Sequence, residues 1–188
     1  MLRYGFSALR FFLTLSLLTG ILYPLAVTGI AQALFAWRAG GSLVRVDGRV
    51  AGSELLAQKF NAPRYFWPRP SSVGYATTPS GGSNQGWNSA QLKKAVAERR
   101  ATLQPSEGTS TIPGDLLFAS ASGLDPHISP EAAFYQLARV ATARGFDGQR
   151  RQRLLALIGR KTEAPLWGFL GQPRINVLQL NLALDSLQ

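Results

Sequence analysis

The residues best suited to chemistry lie in the run Asp125–Pro130, which contains His127, the only histidine of the chain. A zinc ion in a protein takes three or four protein ligands, so one histidine beside one aspartate supplies too few. A Ser-His-Asp set can be drawn, but no Gly-x-Ser-x-Gly elbow supports it. We therefore expect neither a metal site nor a catalytic residue. Asp125 and Ser129 are expected instead to hold a turn and a helix entry through side-chain-to-backbone bonds.

A second candidate is the run of small residues Ser80, Gly81, Gly82, Ser83 and Asn84. Backbone N–H groups of a glycine-rich loop bind phosphate well just before a helix, and a helix is predicted to begin at Asn88. The sequence has no P-loop and no dinucleotide-binding fingerprint. Two interpretations remain, a nucleotide-binding loop and a structural turn or docking loop, and we favour the second.

The chain carries a net charge of +10, which permits nucleic acid, anionic lipid or an acidic protein as a partner. The densest basic cluster, residues 150–161, has its charges at the two ends of one predicted helix and apolar residues in the middle. No arginine-rich arm or known nucleic-acid motif is present. We expect no nucleic-acid partner, and a basic face that is solvated or matched to an acidic or lipid surface.

Residues 11–37 contain no charged side chain, and about 20 apolar residues are enough for a helix to cross a bilayer. This divides the chain into a cytoplasmic tail (1–10), a transmembrane helix (11–37) and one extracytoplasmic domain (38–188). A cleaved signal ending near Ala31–Ala33 is the alternative, although its apolar stretch would be unusually long. Basic residues flank the span almost equally, so the cytoplasmic amino terminus is predicted from the signal-anchor arrangement.

Two pairs of small residues, Ser16/Gly20 and Gly29/Ala33, are four positions apart within the span. This spacing allows another helix backbone to approach closely. On a straight helix the two pairs face different directions, and a kink at Pro24 could bring both to one partner. The alternative is that glycine and proline are simply common in membrane helices.

The remaining residues predict mixed α and β structure, with helices packed on a small sheet. A hairpin is predicted around Asp47-Gly48, followed by an irregular stretch over 61–87 and a polar linker over 104–114. A short strand is predicted over 115–119. Three helices are predicted from their caps at Asn88, Ser129 and Asp147. For 176–184, alternating leucines suggest a strand, whereas Asn176 and Gln179 suggest a capped helix.

Four motifs follow the span in a fixed order: Tyr65–Ser71, Ser80–Asn84, Ser120–Pro130 and Asn176–Asp185. Together they closely resemble the C subunit of the bacterial Kdp potassium-transporting ATPase, over essentially the whole chain. The second family loop contributes Ser122, Gly123, Asp125 and His127. Gln85 and Trp87 depart from the family, in which leucine and proline often follow the Ser-Gly-Gly-Ser-Asn run, and they leave the details of that loop open.

The resemblance implies a single-span, non-catalytic subunit of an ATP-driven potassium importer in the bacterial inner membrane. Its partners would be a channel-like potassium-translocating subunit, a P-type ATPase subunit and a small membrane peptide. The family's subunit is described as a catalytic chaperone that raises the ATPase subunit's affinity for ATP, with Ser80–Asn84 likened to the signature loop of ABC transporters. An extracytoplasmic domain would meet almost no ATP, so such an effect could instead pass through the membrane helices. Two other classes stay open, a membrane-anchored enzyme using His127 and a domain that binds anionic polymers or lipid.

Overall fold

The computed structural model describes residues 2–103 and 111–187 of the chain. Its elements run in the order α1 (Leu2–Leu17), a π-helical turn (Leu18–Leu22), α2 (Tyr23–Ala39), β1 (Leu43–Val46), β2 (Arg49–Ser53), α3 (Ala90–Thr102), α4 (Gly114–Leu117), β3 (His127–Ile128), α5 (Pro130–Ala143), α6 (Gly148–Lys161), β4 (Ile175–Asn176) and α7 (Val177–Asp185). The mixed helix and strand class is as predicted.

The apolar segment is one long helix, Leu2–Ala39, with a mean hydropathy of 1.8 in its most apolar window. Its length and composition suit a membrane span, and residues 2–10, assigned to a tail, continue the helix without a break. The π turn precedes Pro24, where Tyr23 N–H bonds back to Leu18 O, five residues earlier. Proline has no N–H to donate, so the regular helical hydrogen bonding is already interrupted at Pro24. The wide turn lies directly before this interruption.

The hairpin forms as predicted, with β1 and β2 antiparallel. Asp47 and Gly48 both have positive φ, of 50° and 77°, which is the requirement of the tight turn that matches strand twist. The predicted single sheet is wrong among the described residues. β3 and β4 form a separate two-stranded ladder in which His127 faces Asn176.

The core lies between α5, α6 and α7. Fully buried side chains from all three helices meet there, among them Val140, Leu154, Ile158, Leu180 and Leu184. The caps predicted for α5 and α6 are confirmed: Ser129 Oγ accepts from Ala132 N–H, and Asp147 Oδ1 accepts from Arg150 N–H. Side chains of α5 and α7 also bond to the segment that leads into the loops described below.

Three local predictions are corrected or decided. Ser89, not Asn88, caps α3, because its Oγ accepts from Leu92 N–H. The predicted strand 115–119 is instead the helical turn α4, since a four-residue apolar run does not distinguish the two structures. The tail is helical, with Asn176 Oδ1 accepting from Gln179 N–H. Most of the predicted linker, residues 104–110, lies outside the described part of the chain.

Candidate functional site

Three of the motifs converge in space although they are distant in sequence. Ser72 Oγ donates a hydrogen bond of 2.7 Å to Gly81 O, joining the first motif's end to the Ser80–Asn84 loop. Ser120 N–H donates to Pro70 O at 3.1 Å, joining the same segment to the loop that contains His127. We call the three segments 69–75, 80–84 and 120–127 the loop cluster.

Glycine is needed in the loop cluster for close backbone approach. A Cβ on Gly82 would lie 2.8 Å from Ala121 O, and a Cβ on Gly123 would lie 2.8 Å from Val73 Cγ2 and 2.9 Å from Gly81 O. Gly123 also has a φ of +70°, which strains any other residue. By contrast, a Cβ on Gly81 would meet nothing within 4 Å. Gly82 and Gly123 are therefore fixed by contact with the neighbouring loop.

Both oxygens of the Asp125 carboxylate have hydrogen-bond partners within the fold. Its Oδ1 accepts from His127 N–H at 3.0 Å, and its Oδ2 accepts from Arg69 Nη1 at 3.0 Å. Partial burial raises the pKa of Asp125, but the hydrogen bonds from the His127 side chain and backbone and from Arg69, with the charge of Arg69, outweigh it and lower the pKa to about 2. This carboxylate is ionised at neutral pH and holds two loops together.

The contacts of His127 are those of a structural residue. Its backbone pairs with Asn176 in the β3–β4 ladder, and its Nδ1 lies 3.6 Å from Asp125 Oδ1. The described residues contain no group of three or more side chains able to hold a metal. The hydroxyl of Ser122 accepts from Leu124 N–H at 3.1 Å and so holds its own turn. The predicted turn held by Asp125 and Ser129 is confirmed.

The Ser80–Asn84 loop does not lead straight into a helix. Asn84 has a φ of 51°, and α3 begins only at Ala90, with its first turn capped by Ser89 of the same segment. Between them, Gln85 Nε2 donates to Gln91 Oε1 at 2.8 Å and Trp87 is 89% exposed. Within this loop the positive φ is found at Asn84 and not at Gly81 or Gly82. The arrangement gives the loop no helix N-terminus of its own for phosphate.

A cavity of about 420 Å³ lies next to the loop cluster. Trp67, Tyr75 and Arg99 line it, and Arg99 Nη1 already donates to Leu117 O at 2.6 Å. Its described lining reaches Leu103 and includes none of residues 80–84. The glycine-rich loop and this aromatic cavity are therefore separate features.

Two amides that the sequence reasoning missed hold the first motif. Asn181 Oδ1 accepts from Phe66 N–H at 2.8 Å and its Nδ2 donates to Phe66 O at 3.0 Å. Gln136 does the same for Trp67, accepting at 2.7 Å and donating at 3.1 Å. Both amides are buried. The sequence signal that could have identified them is a polar residue on the otherwise apolar face of α5 or α7.

The small residues of the span are all on the helix surface. A Cβ on Gly20 or Gly29 would meet nothing within 4 Å, and Gly20 lies inside the π turn. One extra residue in that turn rotates everything after it by about 100°, so the angle between Ser16 and Gly29 around the helix is about 120°, against about 140° on a straight α-helix. The two pairs point in different directions.

The fold and the loop cluster thus define a compact α+β domain behind one helix long and apolar enough to anchor it in a membrane. The profile of the family described as "KdpC: K+-transporting ATPase, c chain" matches residues 6–186, and the chain belongs to this family. Proteins named Potassium-transporting ATPase KdpC subunit are similar over nearly their full length. The protein of Sorangium cellulosum is 52% identical, covering 99% of both chains, and that of Variovorax paradoxus is 50% identical, covering 95% of this chain and 94% of its own.

Proposed function

We propose that this chain is a non-catalytic accessory subunit of an ATP-driven potassium uptake pump, needed for its assembly and for stimulating its ATPase subunit. The observation that carries the proposal is the use of Asp125, the acid next to the only histidine, as a structural tie to Arg69. A group that is committed on both oxygens is poorly placed to bind or activate a substrate. Membership of the family of K+-transporting ATPase c chains supports the assignment to a potassium pump.

Its partners are the channel-like potassium-translocating subunit, the P-type ATPase subunit and the small membrane peptide. The apolar helix supports this proposal because its small-residue pairs leave open space at Gly20 and Gly29 for a neighbouring backbone. Co-purification of the tagged chain with the other pump subunits from detergent is the direct test. Loss of potassium-stimulated ATP hydrolysis on omitting this chain would support the stimulating role, and unchanged hydrolysis would contradict it.

We propose further that the domain lies outside the cytoplasm and the amino terminus inside. A reporter that is active only outside the cytoplasm, fused after Gln188, should then be active. Activity of a cytoplasm-only reporter at the same place would contradict this topology, and a mature protein beginning near Leu34 would support the cleaved-signal alternative.

For ATP, the proposal is an indirect effect. The Ser80–Asn84 loop has Gly82 against Ala121 O and no helix N-terminus directly after it, which supports a structural or docking role. A raised ATP affinity of the ATPase subunit would then be a coupling of about 1–3 kcal/mol passed through contacting membrane helices. Calorimetry of the full chain in detergent with ATP tests this, because saturable micromolar binding, lost on Gly82→Val in folded protein, would contradict it.

A further inference from the structure

A protruding turn between α6 and β4 exposes a group of large apolar side chains. Leu166 and Leu170 close the turn with two backbone hydrogen bonds of 2.9 Å. Trp167 and Phe169 at its tip are 77% and 78% exposed, and their ring centroids lie 6.4 Å apart. We call Leu166–Leu170 the aromatic turn. Surface residues of this kind in a contiguous group mark an interaction site.

The aromatic turn is fixed by hydrogen bonds within its own segment. Trp167 and Gly168 have positive φ, of 54° and 82°, and the base is closed by Glu163 and Arg174, which pair in both directions through their backbones. The Arg174 side chain also donates to Glu163 Oε2 at 3.0 Å. Because the base is tied on both sides, the two rings are presented outward as a unit.

Asn176, two residues after Arg174, connects to the end of the apolar helix through three hydrogen bonds. Ser42 N–H donates to Trp37 O, Glu54 N–H donates to Ser42 O, and Asn176 Nδ2 donates to Glu54 O, at 3.1, 3.1 and 2.8 Å. Trp37 is an exposed tryptophan next to Arg38 at the end of the apolar run, a pair typical of the membrane–water interface. Leu170 is six residues from Asn176, a reach of at most about 22 Å.

The charge around the aromatic turn suits a lipid surface. Between positions 160 and 174 the chain has three basic side chains, Arg160, Lys161 and Arg174, and one acidic side chain, Glu163. Segments that lie in the interface of an anionic bilayer are typically rich in tryptophan, phenylalanine and leucine next to basic residues. The domain begins a few residues after the apolar helix, which already holds it close to the bilayer. Because this tether gives the aromatic turn a high effective concentration at the lipid surface, a weak additional contact is enough.

We propose that the aromatic turn inserts into the interface of the bilayer that holds the apolar helix and fixes the orientation of the domain against the membrane. The occupant is the lipid headgroup region, with Trp167 and Phe169 as the inserted side chains and Arg160 and Lys161 contacting anionic headgroups. The inference is independent of the side of the membrane on which the domain lies and of any role in ATP affinity.

The test uses the absence of cysteine to attach a single environment-sensitive fluorophore to the full chain. Phe169→Cys reports on the tip, with Leu166→Cys as a second position, and Gln149→Cys at the exposed start of α6 is the matched control. The labelled chains are reconstituted in vesicles of phosphatidylcholine with and without phosphatidylglycerol, containing nitroxide-labelled lipid. Near-ultraviolet circular dichroism checks that each variant is folded.

We expect blue-shifted emission and about twofold stronger nitroxide quenching at 169 and 166 than at 149, as for a side chain at headgroup depth. Phosphatidylglycerol should increase the quenching, and Arg160→Glu with Lys161→Glu should remove that increase. Equal exposure of positions 169 and 149 to aqueous iodide would overturn the proposal. Shielding of position 169 only after the other pump subunits are added would also overturn it, in favour of a protein partner.

Discussion

The side-chain amide of Asn181 makes both backbone hydrogen bonds of Phe66, accepting at 2.8 Å and donating at 3.0 Å. Phe66 is fully buried and Asn181 is 1% exposed, so water cannot replace either bond. α7 thereby acts on the first motif as a neighbouring β-strand would. The arrangement makes Asn181 a main support of the segment that leads into the loop cluster.

Asn181→Ala should therefore destabilise the domain by about 2–4 kcal/mol, because it leaves two buried backbone groups without partners. Thermal unfolding of the full chain in detergent, followed by near-ultraviolet circular dichroism, measures this. Asn61→Ala, at an exposed site, is the control and should change stability by less than about 0.5 kcal/mol. Equal effects of the two substitutions would show that the amide bridge contributes little.

The two adjacent glycines of the Ser80–Asn84 loop separate the structural role from nucleotide binding. Gly82→Ala should cost about 1–3 kcal/mol, because its Cβ would lie 2.8 Å from Ala121 O, whereas Gly81→Ala has open space and should be nearly neutral. Unfolding of the two variants measures the difference. A loop that binds phosphate through both amides would instead lose ATP affinity in both variants without losing stability.

The stability of the domain should fall with pH as Asp125 is protonated. The pKa is about 2 in the folded state against 3.8 for the unperturbed group, so the stabilisation is complete above about pH 4 and is lost as the pH falls toward 2. The contribution is about 2 kcal/mol. Asp125→Asn keeps an acceptor for His127 N–H but no charge. Unfolding measured from pH 6 to pH 2 should show wild type and variant converging at the acid end, and a constant difference would contradict this.

Leucine in place of either glycine of the apolar helix should disturb the contacts of that helix. Gly20→Leu and Gly29→Leu should weaken co-purification with the other pump subunits, because the bulk blocks close helix approach, while insertion is unaffected. Val27→Leu is the control, because exposed Val27 lies about 160° round the helix from Gly29 and, counting the π turn, about 80° from Ser16, so it faces neither pair. Full retention of the complex by both glycine variants would leave the helix as an anchor alone.

The sequence predicted the elements whose signals are local. The caps at Ser129 and Asp147 and the Asp47-Gly48 turn each satisfy backbone groups within a few residues, and the structure confirms all three. The choice between Asn88 and Ser89 went wrong because either side chain can cap, and only the actual start of the helix decides between them. For 176–184, the local cap outweighed the alternating leucines.

The loop cluster was only partly predictable because its supports are distant in sequence. The turn at Asp125 was predicted, but its tie to Arg69 joins residues 56 positions apart. Gly82 is required by Ala121, and nothing in the local sequence indicates that contact. The amides of Gln136 and Asn181 looked like ordinary polar residues on apolar helices until the backbone they bind was in place.

The bridge from Asn181 to Phe66 also determines when the domain can finish folding. The two residues are 115 positions apart, and contacts of such separation form late because the intervening chain must first be closed into a loop. During synthesis, Phe66 therefore has no side-chain amide to bond its backbone N–H and C=O until α7, which carries Asn181, has been made and has packed on the domain. A chain truncated before α7 would lose order around Phe66, more than a hundred residues before the truncation. Folding of the domain therefore depends on the presence of its last helix.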